Sequence, residues 1–147
     1  MIRFLIITLV LLTSASVGAS DIKKIKTIGR NQSVVDCINK YKSNNIECLD
    51  DITYKSESLL KDAYIKKLNE IKESNLDNVW MGSKKEKDDA INLFIENQKK
   101  WTDYREDYCT VALWTIQNSQ HLGEAQTSCE LNMNKRRIDE INLMGIE

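Results

Sequence analysis

The 147-residue chain contains no proline, although about seven would be expected at the usual frequency. Proline is the residue that obligatorily interrupts a helix, so its absence permits long helices without itself specifying a fold. The net charge is also small, because 21 lysines and arginines face 22 acids. This balance excludes a strongly basic nucleic-acid-binding protein and a strongly acidic tail. The length and a hydrophobic content of 41% predict one domain with a modest core.

The first 19 residues have the order of regions found in a secretory signal peptide. Arg3 precedes an apolar run over residues 4–12, and Val17-Gly18-Ala19 offers small residues at the −3 and −1 positions of a cleavage site. A membrane anchor is the alternative, but a span needs about 20 apolar residues, roughly twice the number present here. We therefore expect cleavage after Ala19 and a periplasmic or secreted protein without a membrane span. Only Arg3 is lost among the charges, so the mature chain would carry −2.

Residues 20–36 are predicted to be a flexible lead-in to a domain that spans residues 37–147. The lead-in carries four basic residues, with isoleucines at three-residue spacing. A short amphipathic helix on anionic lipid is an alternative interpretation. A loose N-terminal segment is the commoner outcome for such a stretch.

Hydrophobic periodicity along the mature chain predicts an all-α fold. Helices are expected over residues 34–42, 46–73 and 124–144, and a long helix is expected to begin after Ser83. Ser83 and Glu86 have the spacing of a capping box at its start. One stripe along this helix follows three- and four-residue steps, through Ile91, Phe94, Gln98, Trp101, Arg105, Tyr108 and Ala112. We therefore expect a small antiparallel bundle of three to four helices.

The four cysteines are predicted to form two disulfides, because the chain is directed to an oxidising compartment. In one continuous helix, Cys37 and Cys48 would lie about 16 Å apart, whereas a disulfide needs Cα atoms within about 7 Å. A 37–48 bond therefore requires a reversal, which residues 43–45 can supply, and Cys109 and Cys129 likewise flank a polar loop over residues 117–123. We favour these two pairings over the two other possible sets. Zinc is the competing interpretation, but the pairs lack the close spacing of zinc ligands, so no metal is expected.

Gln98 and Arg105 are polar residues within the apolar stripe of the long helix. A buried guanidinium must be paired, and Glu57 lies in a polar gap of the preceding helix. Alternatively, Arg105 extends its stem over Trp101 and leaves its charged end in water. The sequence leaves both alternatives open, and neither is catalytic.

No catalytic or cofactor-binding motif is present in the sequence. His121 is the single histidine and lies in a polar loop without a nucleophile partner motif. We therefore expect neither an enzyme nor a cofactor. Trp80, in a connecting segment, is predicted to fold over the core, and the alternative is an exposed anchor for a protein partner.

The stretch from residue 98 to residue 109 has the form Q-x2-W-x2-Y-R-x3-C and resembles the LprI-like lysozyme-inhibitor family of small helical envelope proteins. Arg137 follows Cys129 at the distance expected for that family's last helix, and Cys37 and Cys48 resemble its first cysteine pair. In the first half, Glu57 and Lys61 depart from the family's Asp and Asn. The residues that carry the resemblance in the second half are Gln98, Trp101, Tyr104, Arg105, Cys109, Cys129 and Arg137.

The resemblance implies a protein that acts by binding a protein partner, with a lysozyme-type muramidase as the expected target. Such an inhibitor would present acids from a rigid loop to a cationic cleft. Asp77 and Glu124 are candidate acids, and Trp80 is a candidate anchor. The alternative is an envelope interaction or immunity protein with a different target.

Overall fold

The computed structural model describes residues 27–74 and 83–145 of the chain. Within these ranges the fold is all-helical, with four α-helices and no strand. The predicted signal peptide, Asp77 and Trp80 lie outside the described residues. The helices are α1 (Gln32–Tyr41), α2 (Ile46–Glu73), α3 (Lys84–Ala112) and α4 (Leu122–Asn142), with single 3-10 turns at Lys42–Asn44 and Trp114–Ile116.

Side-chain capping fixes the starts of α1 and α3. The Asn31 side chain accepts a hydrogen bond from the backbone N–H of Ser33. At α3, the Ser83 hydroxyl accepts from the backbone N–H of Glu86, while the Glu86 carboxylate accepts from the backbone N–H of Ser83 at 2.7 Å. The predicted capping box is therefore confirmed.

The order of contacts along each helix gives the helix directions. Glu57 of α2 pairs with Arg105 of α3, whereas Tyr64, further along α2, stacks on Phe94, which comes earlier on α3. These two helices therefore run in opposite directions. Ser56 of α2 contacts Asn134 of α4, and Lys67, further along α2, contacts the carbonyl of Met144, just beyond the end of α4. Residue numbers therefore rise together along these two helices. Helices α2 and α4 are thus parallel to each other, and α3 is antiparallel to both. The prediction of a small antiparallel bundle is confirmed.

Both predicted disulfides are present, Cys37–Cys48 and Cys109–Cys129, each with its Cα atoms 5.8 Å apart. The first joins α1 to α2 across the Lys42–Asn44 turn, where the chain reverses as expected. The second joins the end of α3 to α4 inside the core, and both of its cysteines have 0% exposure. The two bonds therefore tie together consecutive helices near their connections.

The core lies between α2, α3 and α4. Its buried cluster includes Leu60, Trp101, Cys109, Leu113, Ala125, Cys129, Met133 and Ile141. The expected stripe on α3 is present as far as Arg105, but Ala112 is exposed, and Cys109 and Leu113 are buried instead. A 3.5-residue repeat drifts by about 20° per heptad on a straight helix, so the buried positions shift by one residue near its end.

The residues just before α1 pack against α4. The Nδ2 group of Asn132 donates to the carbonyls of Ile28 and Arg30, at 2.8 and 3.1 Å. A Cβ added at Gly29 would lie 2.8 Å from a methyl of Leu113, so only glycine fits this close approach without a shift. The sequence places the border between lead-in and domain at residue 37, whereas α1 begins five residues earlier. Within the described residues, no helix combines the length and apolarity needed to cross a membrane.

Candidate functional site

Two guanidinium groups from different helices lie over the indole ring of Trp101. Arg105, one turn further along α3, has its Cζ 5.6 Å from the centroid of the indole ring. Arg137 on α4 has its Cζ at 5.7 Å from the same ring. All three residues are at most 9% exposed. The electron-rich ring faces stabilise buried cations, which explains how two arginines share an apolar environment.

Arg105 is held by a buried network between α2, α3 and α4. Its Nη1 donates to the Glu57 carboxylate and, at 2.6 Å, to Oδ1 of Asn134. The Asn134 amide in turn donates to Oε1 of Glu57 at 3.0 Å and to the hydroxyl of Ser56 at 3.1 Å. Of the two interpretations for Arg105, the pairing with Glu57 is the one observed. The departure from the family's Asp at position 57 thus keeps a carboxylate.

Arg137 is fixed by a second set of acceptors. Its Nε donates to Oε1 of Gln98 at 2.9 Å, and its Nη2 donates to Oδ1 of Asn97 at 2.6 Å. Glu140, one turn along α4, lies 3.3 Å from Nη1. Gln98 of the α3 stripe and its neighbour Asn97 therefore face the guanidinium of α4, and Gln98 supplies an acceptor that this buried cation requires.

A shallow groove of about 190 Å³ opens between α2 and α3 beside this network, lined by Glu57, Leu60, Lys61, Tyr64, Gln98, Thr102 and Arg105. The Glu57 side chain is 44% exposed there, whereas that of Arg105 is only 11% exposed. The polar groups of the network are engaged mainly with one another. Such an arrangement orders three helices and sets their register.

The remaining sequence-predicted residues lie apart from this network. Tyr104 is 52% exposed on the outer surface of α3. Glu124 is half-buried at the start of α4, where its carboxylate accepts from Nδ2 of Asn45 at 3.4 Å and lies 3.2 Å from Nδ1 of His121. Glu124 is therefore engaged within the fold, and His121 is an exposed neighbour of it.

Asn134 is the central residue that sequence reasoning missed. Its exposure is 0%, and it bridges α2 to α3 through Ser56, Glu57 and Arg105. The available signal was its spacing, because Leu131, Asn134 and Arg137 follow three-residue steps on one face of α4. In the two described ranges, no three His, Cys, Asp or Glu side chains converge as metal ligands would.

Comparison with known families matches residues 37–141, more than half of the chain, to the family described as lysozyme inhibitor LprI. The chain belongs to the LprI family. The match spans both disulfides, the Trp101 cluster and the second half of α1. Comparison with curated proteins and with solved structures gives no match. At the family level, LprI membership gives the chain a lysozyme-inhibitor-like function, and its two disulfides fit an oxidising compartment.

Proposed function

We propose that the mature protein, cleaved after Ala19, is a periplasmic or secreted inhibitor that binds a lysozyme-type muramidase and blocks its cleft. The observation that carries this proposal is the match to the LprI family over residues 37–141. The protein acts by occlusion and not by catalysis. Its target is a folded protein, so affinity comes from a preformed surface.

The construction of the bundle supports this mode of action. Two disulfides link α1 to α2 and α3 to α4, and buried arginine networks link α2 and α3 to α4. A rigid surface loses little conformational entropy on binding, and more of the contact energy remains as affinity. The buried network around Trp101 stabilises the scaffold, and the outer surface makes the contacts with the muramidase.

The experiment is a titration of purified mature protein, residues 20–147, into muramidase-driven lysis of a cell-wall suspension. We expect the lysis rate to fall with inhibitor concentration and to reach zero at molar excess. A denatured and alkylated sample of the same protein, which lacks the fold, serves as the control. Unchanged lysis at molar excess, with a panel of muramidases, would contradict the proposal.

A further inference from the structure

The second half of α3 exposes aromatic, aliphatic and acidic side chains together. Three of them, Tyr104, Tyr108 and Val111, follow steps of four and three residues, and Asp103 and Asp107 flank them on the same side of the helix. We refer to these five residues as the acidic aromatic face. Four of them lie away from the buried residues of α3, whereas Tyr108 is only partly exposed and borders the core.

The apolar part of this face is largely exposed to water. Tyr104 is 52% exposed and Val111 is 74% exposed, while Tyr108 rests partly on the core. The rings of Tyr104 and Tyr108 lie 5.7 Å apart at a tilt of 44°. Trp114, in the turn that follows α3, is 73% exposed. Tyrosine and tryptophan are the residues that most often anchor protein interfaces.

The charge along this part of α3 is mainly negative. Between Trp101 and Trp114 there are three acids, Asp103, Glu106 and Asp107, and one basic residue, Arg105. Lys99 and Lys100 lie one turn earlier, and Lys100 is paired with Glu96. The charge of Arg105 is buried against Glu57 and does not offset the surface acids. The C-terminal carbonyls of α3 add further negative potential.

The acids of the face also differ from other acids on the same helix. Asp88, Asp89 and Glu96 each form an ion pair with a lysine four residues away. Asp103 and Asp107 form no ion pair within the described residues. The exposed Tyr54 on α2, by contrast, adjoins the Lys55–Asp51 pair, so its surroundings carry no such excess.

We infer that the acidic aromatic face is the surface through which the protein binds a muramidase, and that the contacted surface of the muramidase is rich in lysine and arginine. The inference rests on the proposed function and specifies its interface. Tyr104 and Val111 supply the apolar contact, while Asp103 and Asp107 supply charge complementarity and speed the encounter. The partner is thereby a basic muramidase and not an acidic one.

The test measures both binding of a labelled basic muramidase and inhibition of lysis. Two variants alter the face, Asp103→Lys with Asp107→Lys and Tyr104→Ala with Val111→Ala. Asp88→Lys with Asp89→Lys makes the same change in net charge at the other end of α3, and Tyr54→Ala removes a tyrosine elsewhere that is even more exposed than Tyr104. Circular dichroism and urea midpoints establish that each variant is folded.

We expect both face variants to raise the dissociation constant and the half-inhibitory concentration about tenfold or more, and both controls to stay within about twofold. Raising the salt concentration from 50 to 300 mM should weaken the binding of the unmodified protein to the muramidase and have less effect on the binding of the double lysine variant. If the unmodified protein inhibits and the face variants inhibit equally well, the inference is wrong while the proposed function stands. If the unmodified protein neither binds nor inhibits, the proposed function and the inference both fail.

Discussion

At the scale of single residues, the bundle depends on an unequal pair formed by Arg105 and Glu57. The guanidinium is buried, whereas the carboxylate reaches solvent through the groove between α2 and α3. The Nε of Arg105 is buried and has no hydrogen-bond partner among the described residues. Removing one partner of a buried pair is costly mainly for the charge that stays behind. Loss of Glu57 would therefore leave a buried charge without its partner, whereas loss of Arg105 would leave a charge that water can reach.

The first prediction concerns this asymmetry. Glu57→Ala leaves the buried Arg105 cation with Asn134 as its remaining acceptor, and we expect the free energy of unfolding to fall by about 3 kcal/mol. Arg105→Met keeps the apolar stem, removes the orphaned Nε and leaves a carboxylate that water can reach, so its cost should be about 1–2 kcal/mol. Urea unfolding followed by circular dichroism measures both values.

The matched control for this pair is Glu57→Gln, which retains an acceptor oxygen for Arg105. We expect Glu57→Gln to be less stable than the unmodified protein but more stable than Glu57→Ala. A cost for Arg105→Met that equals or exceeds that of Glu57→Ala would contradict the proposed asymmetry.

At the scale of elements, local signals in the sequence predicted the helices well and their packing less well. The bounds of α2 agree with the prediction, and the capping box at Ser83 locates the start of α3. Both signals depend only on residues that are close in the sequence. By contrast, α4 begins at Leu122, two residues earlier than predicted, and its N-cap residue His121 makes no side-chain capping bond that could signal the start. The sequence named Glu57 as a partner for Arg105 but left open whether the pair forms. The role of Asn134 depends on how three helices pack, and no local pattern specifies that.

The second prediction concerns the capping box of α3. Hydrogen bonds from the backbone N–H and hydroxyl of Ser83 hold the pKa of the Glu86 carboxyl below its ordinary value. A carboxyl whose pKa is lower in the folded state stabilises the fold above its unfolded pKa of about 4.3, and this contribution is lost as the pH falls through the folded pKa. Glu86→Gln should therefore lower Tm at pH 7 and have little effect near pH 3.

Thermal unfolding of both proteins between pH 3 and pH 7 measures this difference. Glu47→Gln is the matched control, because Glu47 also lies in the first turn of a helix, but the N-cap of α2 makes no side-chain capping hydrogen bond. The control should show a smaller change in Tm at pH 7. A Tm difference for Glu86→Gln that stays constant down to pH 3 would show that the carboxylate does not act through this cap.

At the scale of the whole molecule, the two disulfides differ in how deeply they are buried. Cys109–Cys129 lies within the central core of the bundle, among residues such as Leu113 and Met133. Cys37–Cys48 joins α1 to the start of α2 at the periphery, and Cys48 is only half-buried. The loops that they close are short, with separations of 11 and 20 residues, and each bond stabilises the fold by about 3 kcal/mol in the chain-entropy description. The bonds are thus similar in their effect on the unfolded chain but differ in accessibility.

This difference in depth predicts the order in which the disulfides are reduced. Reduction requires a thiolate to reach a sulfur atom, so dithiothreitol under native conditions should open Cys37–Cys48 before Cys109–Cys129. Alkylation at successive times, followed by peptide mass mapping, identifies which cysteines have become free. In denaturing urea the burial is lost, and the two bonds should open at similar rates, which serves as the control. Native reduction that opens Cys109–Cys129 first, or both together, would mean that the core admits the reductant or that the bundle unfolds as a unit before either bond is reached.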